Sequence, residues 1–123
     1  MEIPKPTDVD RERFRTLAPD DARVEIKPMF GNLGGFVNGN MFMGLFGSDI
    51  GVKLADRDQE ELRRAGGGEF GPRQRPMTGY VTLPAALSAA DAQRWVAASL
   101  AYVGALPPKK AKKRRSGWPT GSV

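Results

Sequence analysis

The chain has 123 residues and a formal net charge of +5, and its 40% hydrophobic and 27% charged residues are typical of one globular domain. It contains no cysteine and no histidine. These absences exclude disulfides and thiolate chemistry, the usual zinc and copper ligands, and Cys–His or Ser–His nucleophile pairs. We therefore expect no enzymatic activity, no metal site and no cofactor.

The first predicted elements are a helix and a run of strands. Thr7 is a typical helix cap and Pro19 ends a helical pattern, so we predict a helix over about residues 7–18. Apolar and polar residues alternate from Val24, which indicates strands. Asn38-Gly39 favours a tight type I′ turn between two of them. Residues 24–55 are therefore predicted to form an antiparallel meander.

The second half of the chain returns to helices. Asp56 begins a predicted helix that ends at the glycines 66–68, and residues 77–83 form a last strand before Pro84. Ser88 caps a final helix over about residues 88–105, with apolar residues at spacings of three and four. The order α-β-β-β-β-α-β-α predicts a two-layer α+β fold, with an antiparallel sheet of about five strands and helices on one face.

The glycine-rich segment 31–35 has the composition of a phosphate-binding loop. It lacks a following Lys-Ser or Lys-Thr pair, and a strand follows it instead of a helix. We predict a bent hairpin here.

An arginine-rich loop is the first candidate site. Arg63 and Arg64 lie at the end of the second helix, and Arg73 and Arg75 follow Phe70. Arginine beside an aromatic ring can recognise anions or stacked bases, so a small-anion or nucleotide-binding module is one hypothesis. A solvated loop is the alternative.

The basic charge is concentrated near the C-terminus. All 14 acidic residues precede residue 92, and six of the 19 basic residues form one basic run: Lys109, Lys110, Lys112, Lys113, Arg114 and Arg115. Residues 1–106 then hold 13 basic and 14 acidic residues, a net charge of −1. We predict a domain at residues 1–108 and a disordered tail at residues 109–123. The tail either makes weak, sequence-independent contact with nucleic acid or aids solubility, and Trp118 could stack on a base.

Several short segments together resemble one known family, the TfoX N-terminal domain (TfoX/Sxy) family, over about residues 10–109. They are Met29-Phe30-Gly31, the stretch 36–42, Phe70-Gly71-Pro72, the stretch 76–80, and a helix with Trp95 that leads to Leu106-Pro107-Pro108-Lys109.

The resemblance implies a secretion-chaperone-like α+β fold in a bacterial cytoplasmic protein. The longest apolar stretch is far shorter than the ~20 residues of a membrane span, so we also expect no membrane association. Some members regulate natural competence by assisting a transcription activator, and these carry a second, helical domain where this chain has the basic run. The family supplies no catalytic residues. We expect a non-enzymatic regulatory domain that binds a protein partner, and the edge strands of a short sheet favour a homodimer.

Overall fold

The structure is a computed structural model in which residues 3–108 are described. The elements follow the predicted order, which confirms the α+β class. They are α1 (Asp8–Leu17), β1 (Val24–Met29), β2 (Asn32–Val37), β3 (Asn40–Phe46), β4 (Asp49–Lys53), α2 (Asp56–Arg64), β5 (Tyr80–Thr82) and α3 (Ala89–Gly104). The basic run and Trp118 lie outside the described residues, so the disorder of the tail stays a prediction.

The five strands form one antiparallel meander in the spatial order β1-β2-β3-β4-β5. The predicted turn at Asn38-Gly39 is confirmed, with φ values of 53° and 80°. A second turn of the same kind, with φ values of 51° and 80°, joins β1 to β2 at Phe30-Gly31. The expected glycine-rich bend therefore falls earlier than predicted, and Gly34 lies inside β2.

The last strand is shorter than predicted. Residues 77–79 form a turn, closed by a hydrogen bond from the Tyr80 N–H to the Met77 carbonyl and by Gly79 with a φ of 91°. The strand therefore begins only at Tyr80, and Glu69 adds an isolated bridge to Val81 at the sheet edge.

The helix ends have the local chemistry that the sequence predicts. The Thr7 Oγ1 accepts from the Asp10 N–H at 3.1 Å, and the Thr7 N–H donates to the Asp10 carboxylate at 2.8 Å, which completes a capping box. The Ser88 Oγ accepts from the Asp91 N–H at the start of α3. After α2, Gly66 adopts a φ of 114°, as a helix stop requires.

The main core lies between the sheet and the helices α1 and α3. One face of α3 is buried against the strands, and its Ser99 Oγ donates to the Phe42 carbonyl of β3 at 2.6 Å. Leu62 brings α2 into the same core. Within residues 3–108, no helix combines the length and apolarity needed to cross a membrane.

Candidate functional site

Three glycines lie side by side on the helix-free face of the sheet, the face opposite α1 and α3. Gly34 of β2 pairs with Gly44 of β3, which pairs in turn with Gly51 of β4. Leu45, the neighbour of Gly44, belongs to the helix-side core. Because successive side chains in a strand point to opposite faces, Gly44 faces away from the helices. We call these three residues the glycine row.

The ring of Phe70 lies over two members of the glycine row. A Cβ atom at Gly44 would lie 3.1 Å from the Phe70 Cζ, and a Cβ atom at Gly51 would overlap the same ring. Phe70 is 3% exposed, although it is outside the helix-side core. Phe46 contacts it edge-on, with ring centroids 6.3 Å apart, and the Tyr80 ring lies 5.9 Å away. These three rings form a second apolar cluster on the helix-free face.

A β-bulge brings Met41 to the same face. The register between β2 and β3 shifts at Phe42, which is left out of the pairing. Phe42 and Met43 are both fully buried in the helix-side core. Met41 therefore lies on the helix-free face, where its Sδ is 3.2 Å from the Cβ position of Gly34.

Tyr80 fixes the backbone beside this cluster. Its hydroxyl donates to the Met41 carbonyl at 2.7 Å. Burial raises the pKa of Tyr80 to about 12, so the phenol stays protonated at neutral pH. Such a group holds a neighbouring strand in place and is poorly suited to proton transfer near pH 7.

The helix-free face carries an apolar pocket of about 260 Å³. Methionine and phenylalanine make up half of the lining residues: Met29, Met41, Met77, Phe30, Phe46 and Phe70. The polar residue in the lining, Asn32, is engaged at both ends of its amide. Its Nδ2 donates to the Pro4 carbonyl at 3.2 Å, and its Oδ1 accepts from the Gly47 N–H at 2.9 Å. The pocket therefore offers an occupant apolar contact and no reacting group.

Phe30 lies at the rim of this apolar pocket, with an exposed ring and an unfavourable backbone conformation. It is 79% exposed and has a φ of 51°. A bulky side chain in the left-handed region is strained, and strained residues are concentrated at functional sites. Exposure and strain at the same residue, beside an apolar pocket, make this face the candidate interaction site.

The four arginines of the anion hypothesis are all exposed, and Arg63 and Arg73 line different hollows. The Arg64 Nη2 lies 3.8 Å from a carboxylate oxygen of Glu60 in its own helix. Glu69 lines the hollow of Arg63 and that of Arg73. An anion bound at either arginine would therefore lie near a carboxylate, which opposes its binding. Arg75 lies in the loop that carries Arg73.

Sequence reasoning placed Phe70 in a loop and missed the pocket beneath it. The three glycines come from separate strands, and the sequence does not show that they are adjacent. The methionines and the Met29-Phe30-Gly31 motif were the available signal. Within residues 3–108, no group of three or more acidic side chains could hold a metal ion.

The family model of the TfoX N-terminal domain matches residues 15–103. The chain belongs to this family. The match contains the whole meander, α2, β5 and nearly all of α3, so the glycine row and the ring of Phe70 are parts of a TfoX N-terminal domain. Ile3 and the basic run lie outside the matched residues. No curated protein matches this chain.

Proposed function

We propose that this TfoX N-terminal domain is a non-enzymatic regulatory domain that acts by binding, and that the basic run attaches it weakly to nucleic acid. The regulation concerned is transcription in the cytoplasm of a bacterium, as in those family members that assist a transcription activator. A protein partner bound by the domain would then be held close to nucleic acid.

The charge distribution carries this proposal. Six basic residues in seven form a polycation, whereas residues 1–106 have a net charge of −1. Polycations bind phosphate backbones by releasing counterions, without reading the base sequence. With six contacts we expect a dissociation constant of about 10⁻⁴–10⁻⁵ M at physiological salt, within the usual range for non-specific binding.

The geometry of the domain supports a binding role. Its apolar pocket exposes methionine and phenylalanine side chains, and its polar residue Asn32 is already hydrogen-bonded. The phenol of Tyr80, which belongs to the ring cluster, stays protonated because burial raises its pKa to about 12. Apolar contacts of this kind suit recognition of another molecule.

The test is a titration of fluorescently labelled duplex DNA at low salt with the full chain. A tail variant replaces the six basic residues of the run with glutamine. The matched control replaces Arg63, Arg64, Arg73 and Arg75 with glutamine in the intact chain. We expect the tail variant to lose most of its affinity for DNA and the control to keep it. The full chain should bind duplexes of different sequence with equal affinity. Equal affinity for the full chain and the tail variant would overturn the proposal.

A small-anion site is the second candidate function. The hollow that contains Arg73 also contains Ser48 and Gln74, whose side chains can donate hydrogen bonds to an anion. Asp49 and Glu69 share this hollow and oppose anion binding. A panel of nucleotides and inorganic phosphate should raise the melting temperature if the site exists. An unchanged melting temperature with every anion would eliminate it.

A further inference from the structure

The apolar pocket is suited to one large aromatic side chain. Its volume of about 260 Å³ is larger than the ~150 Å³ that holds a benzene molecule in a protein core. Because both ends of the Asn32 amide are already hydrogen-bonded, the pocket offers few partners to polar groups of an occupant. Methionine sulfur contacts aromatic ring edges favourably, and Met29, Met41 and Met77 all line the pocket.

The described residues end at the start of β3, the strand that carries Met41 and Phe46 of the pocket lining. The Asn38 Nδ2 donates to the Gly104 carbonyl at the end of α3, and the Asn40 Nδ2 donates to the Pro107 carbonyl at 3.1 Å. These two bonds hold the segment after α3 against the β2–β3 turn. Asn40 is the neighbour of Met41, which lines the pocket. The described chain therefore ends at the start of β3, one residue before the pocket wall at Met41 but on the helix side of the sheet.

We propose that Trp118 of this chain inserts its indole ring into the apolar pocket. Trp118 is the one aromatic residue in the sequence 109–123. It lies ten positions after Pro108, and an extended chain of ten residues spans up to about 33 Å. From Asn40 to the far pocket wall at Phe46, β3 is about 20 Å long at ~3.3 Å per residue. The remaining length of about 13 Å is available for the passage from the helix side of the sheet, around its edge, to the helix-free face.

The connection to the domain makes this docking effective even if the contact is weak. Because Trp118 is covalently joined to the domain, its effective concentration at a site within reach is in the millimolar range, so a dissociation constant of about 1 mM suffices for substantial occupancy. Tryptophan is suited to a half-open site, since its ring is apolar while its N–H can face water. The docked ring would also cover Phe30, which is 79% exposed in the domain described.

This inference goes beyond the proposed function, and each can fail without the other. Attachment to nucleic acid requires the six charges of the basic run, whereas docking requires the Trp118 ring. The tail variant with six glutamines retains Trp118. We therefore expect it to lose affinity for DNA and to keep the docked ring.

The methionines provide the test. The chain has five, of which Met29, Met41 and Met77 line the pocket, while Met43 is fully buried on the helix side. We would label the methionine methyl groups with ¹³C and compare NMR spectra of the full chain with those of Trp118→Ala. Ring currents should shift the three pocket methyls and leave that of Met43 unchanged. Pocket methyls at identical positions in both proteins would overturn the proposal.

Two further measurements exclude other occupants. In a dilution series, the shifts that depend on Trp118 should stay constant. Shifts that disappear on dilution would show that a second copy supplies the ring, which overturns docking within one chain. Phe30→Asn removes the aromatic rim and suits the turn, so its fold is preserved. In this variant the shifts caused by Trp118 should shrink, and shifts of undiminished size would count against this pocket as the binding site.

Discussion

Replacing Phe30 with asparagine should stabilise the domain. Phe30-Gly31 and Asn38-Gly39 form turns with nearly the same φ values, 51° and 80° against 53° and 80°. They differ in the residue at the first position. Asparagine tolerates positive φ far better than phenylalanine, because its short polar side chain bonds to the local backbone. The substitution gives the first turn the sequence of the second.

Two opposing effects set the magnitude. A bulky residue in the left-handed region costs about 1–2 kcal/mol, most of which asparagine avoids. Phe30 is 79% exposed, so about a fifth of its surface is buried. A fifth of ~200 Å² at ~25 cal/mol per Å² is about 1 kcal/mol, which is the packing free energy lost within the described domain. The net gain in the free energy of unfolding is up to about 1 kcal/mol, which raises the melting temperature by up to about 4 °C in a domain of this size.

Urea unfolding followed by circular dichroism would measure this gain, and Phe30→Ala is the matched control. Alanine removes the same ring but retains a Cβ in the left-handed region, so it loses packing without the full relief of strain. We expect Phe30→Asn to exceed Phe30→Ala by about 1 kcal/mol in the free energy of unfolding. Equal stabilities, or a Phe30→Asn variant less stable than the native chain, would refute this explanation of the turn.

Three further substitutions test the contacts around the sheet. Asn32→Ala leaves the Gly47 N–H without its acceptor, so it should lower the free energy of unfolding measured in urea by about 2 kcal/mol. An unchanged free energy of unfolding would show that the amide is dispensable. Ser99→Ala removes the hydrogen bond to the Phe42 carbonyl and should lower the free energy of unfolding by about 1–2 kcal/mol in the same measurement. The raised pKa of Tyr80, about 12, favours the folded state below its ordinary pKa of 10, and this contribution disappears as pH rises from 10 through 12. The free energy of unfolding then falls by up to about 3 kcal/mol, and in Tyr80→Phe it should fall less between pH 10 and 12.

The features that the sequence predicted correctly are those that depend on neighbouring residues. The Asn38-Gly39 turn, the helix cap at Thr7 and the helix stop at Gly66 each require only a short local pattern. The meander follows from short connections between alternating segments, because such strands pair with their neighbours in sequence.

The features that the sequence did not predict depend on contacts between distant residues. The ring of Phe70 lies over Gly44 and Gly51, which belong to two strands of the sheet, and no local pattern connects them. The β-bulge at Phe42 changes which face Met41 occupies. The turn at Phe30-Gly31 was missed because an aromatic residue at positive φ is unusual, and the glycines that follow were a more typical site for a bend.

The salt dependence of DNA affinity tests the proposed division between domain and basic run most directly. If all six charges of the run contact phosphates, the logarithm of the binding constant should fall against the logarithm of salt concentration with a slope of about −5. The variant with six glutamines should show a slope close to zero. A slope near −5 that persists in this variant would contradict the account, because the attachment would then reside in the domain itself.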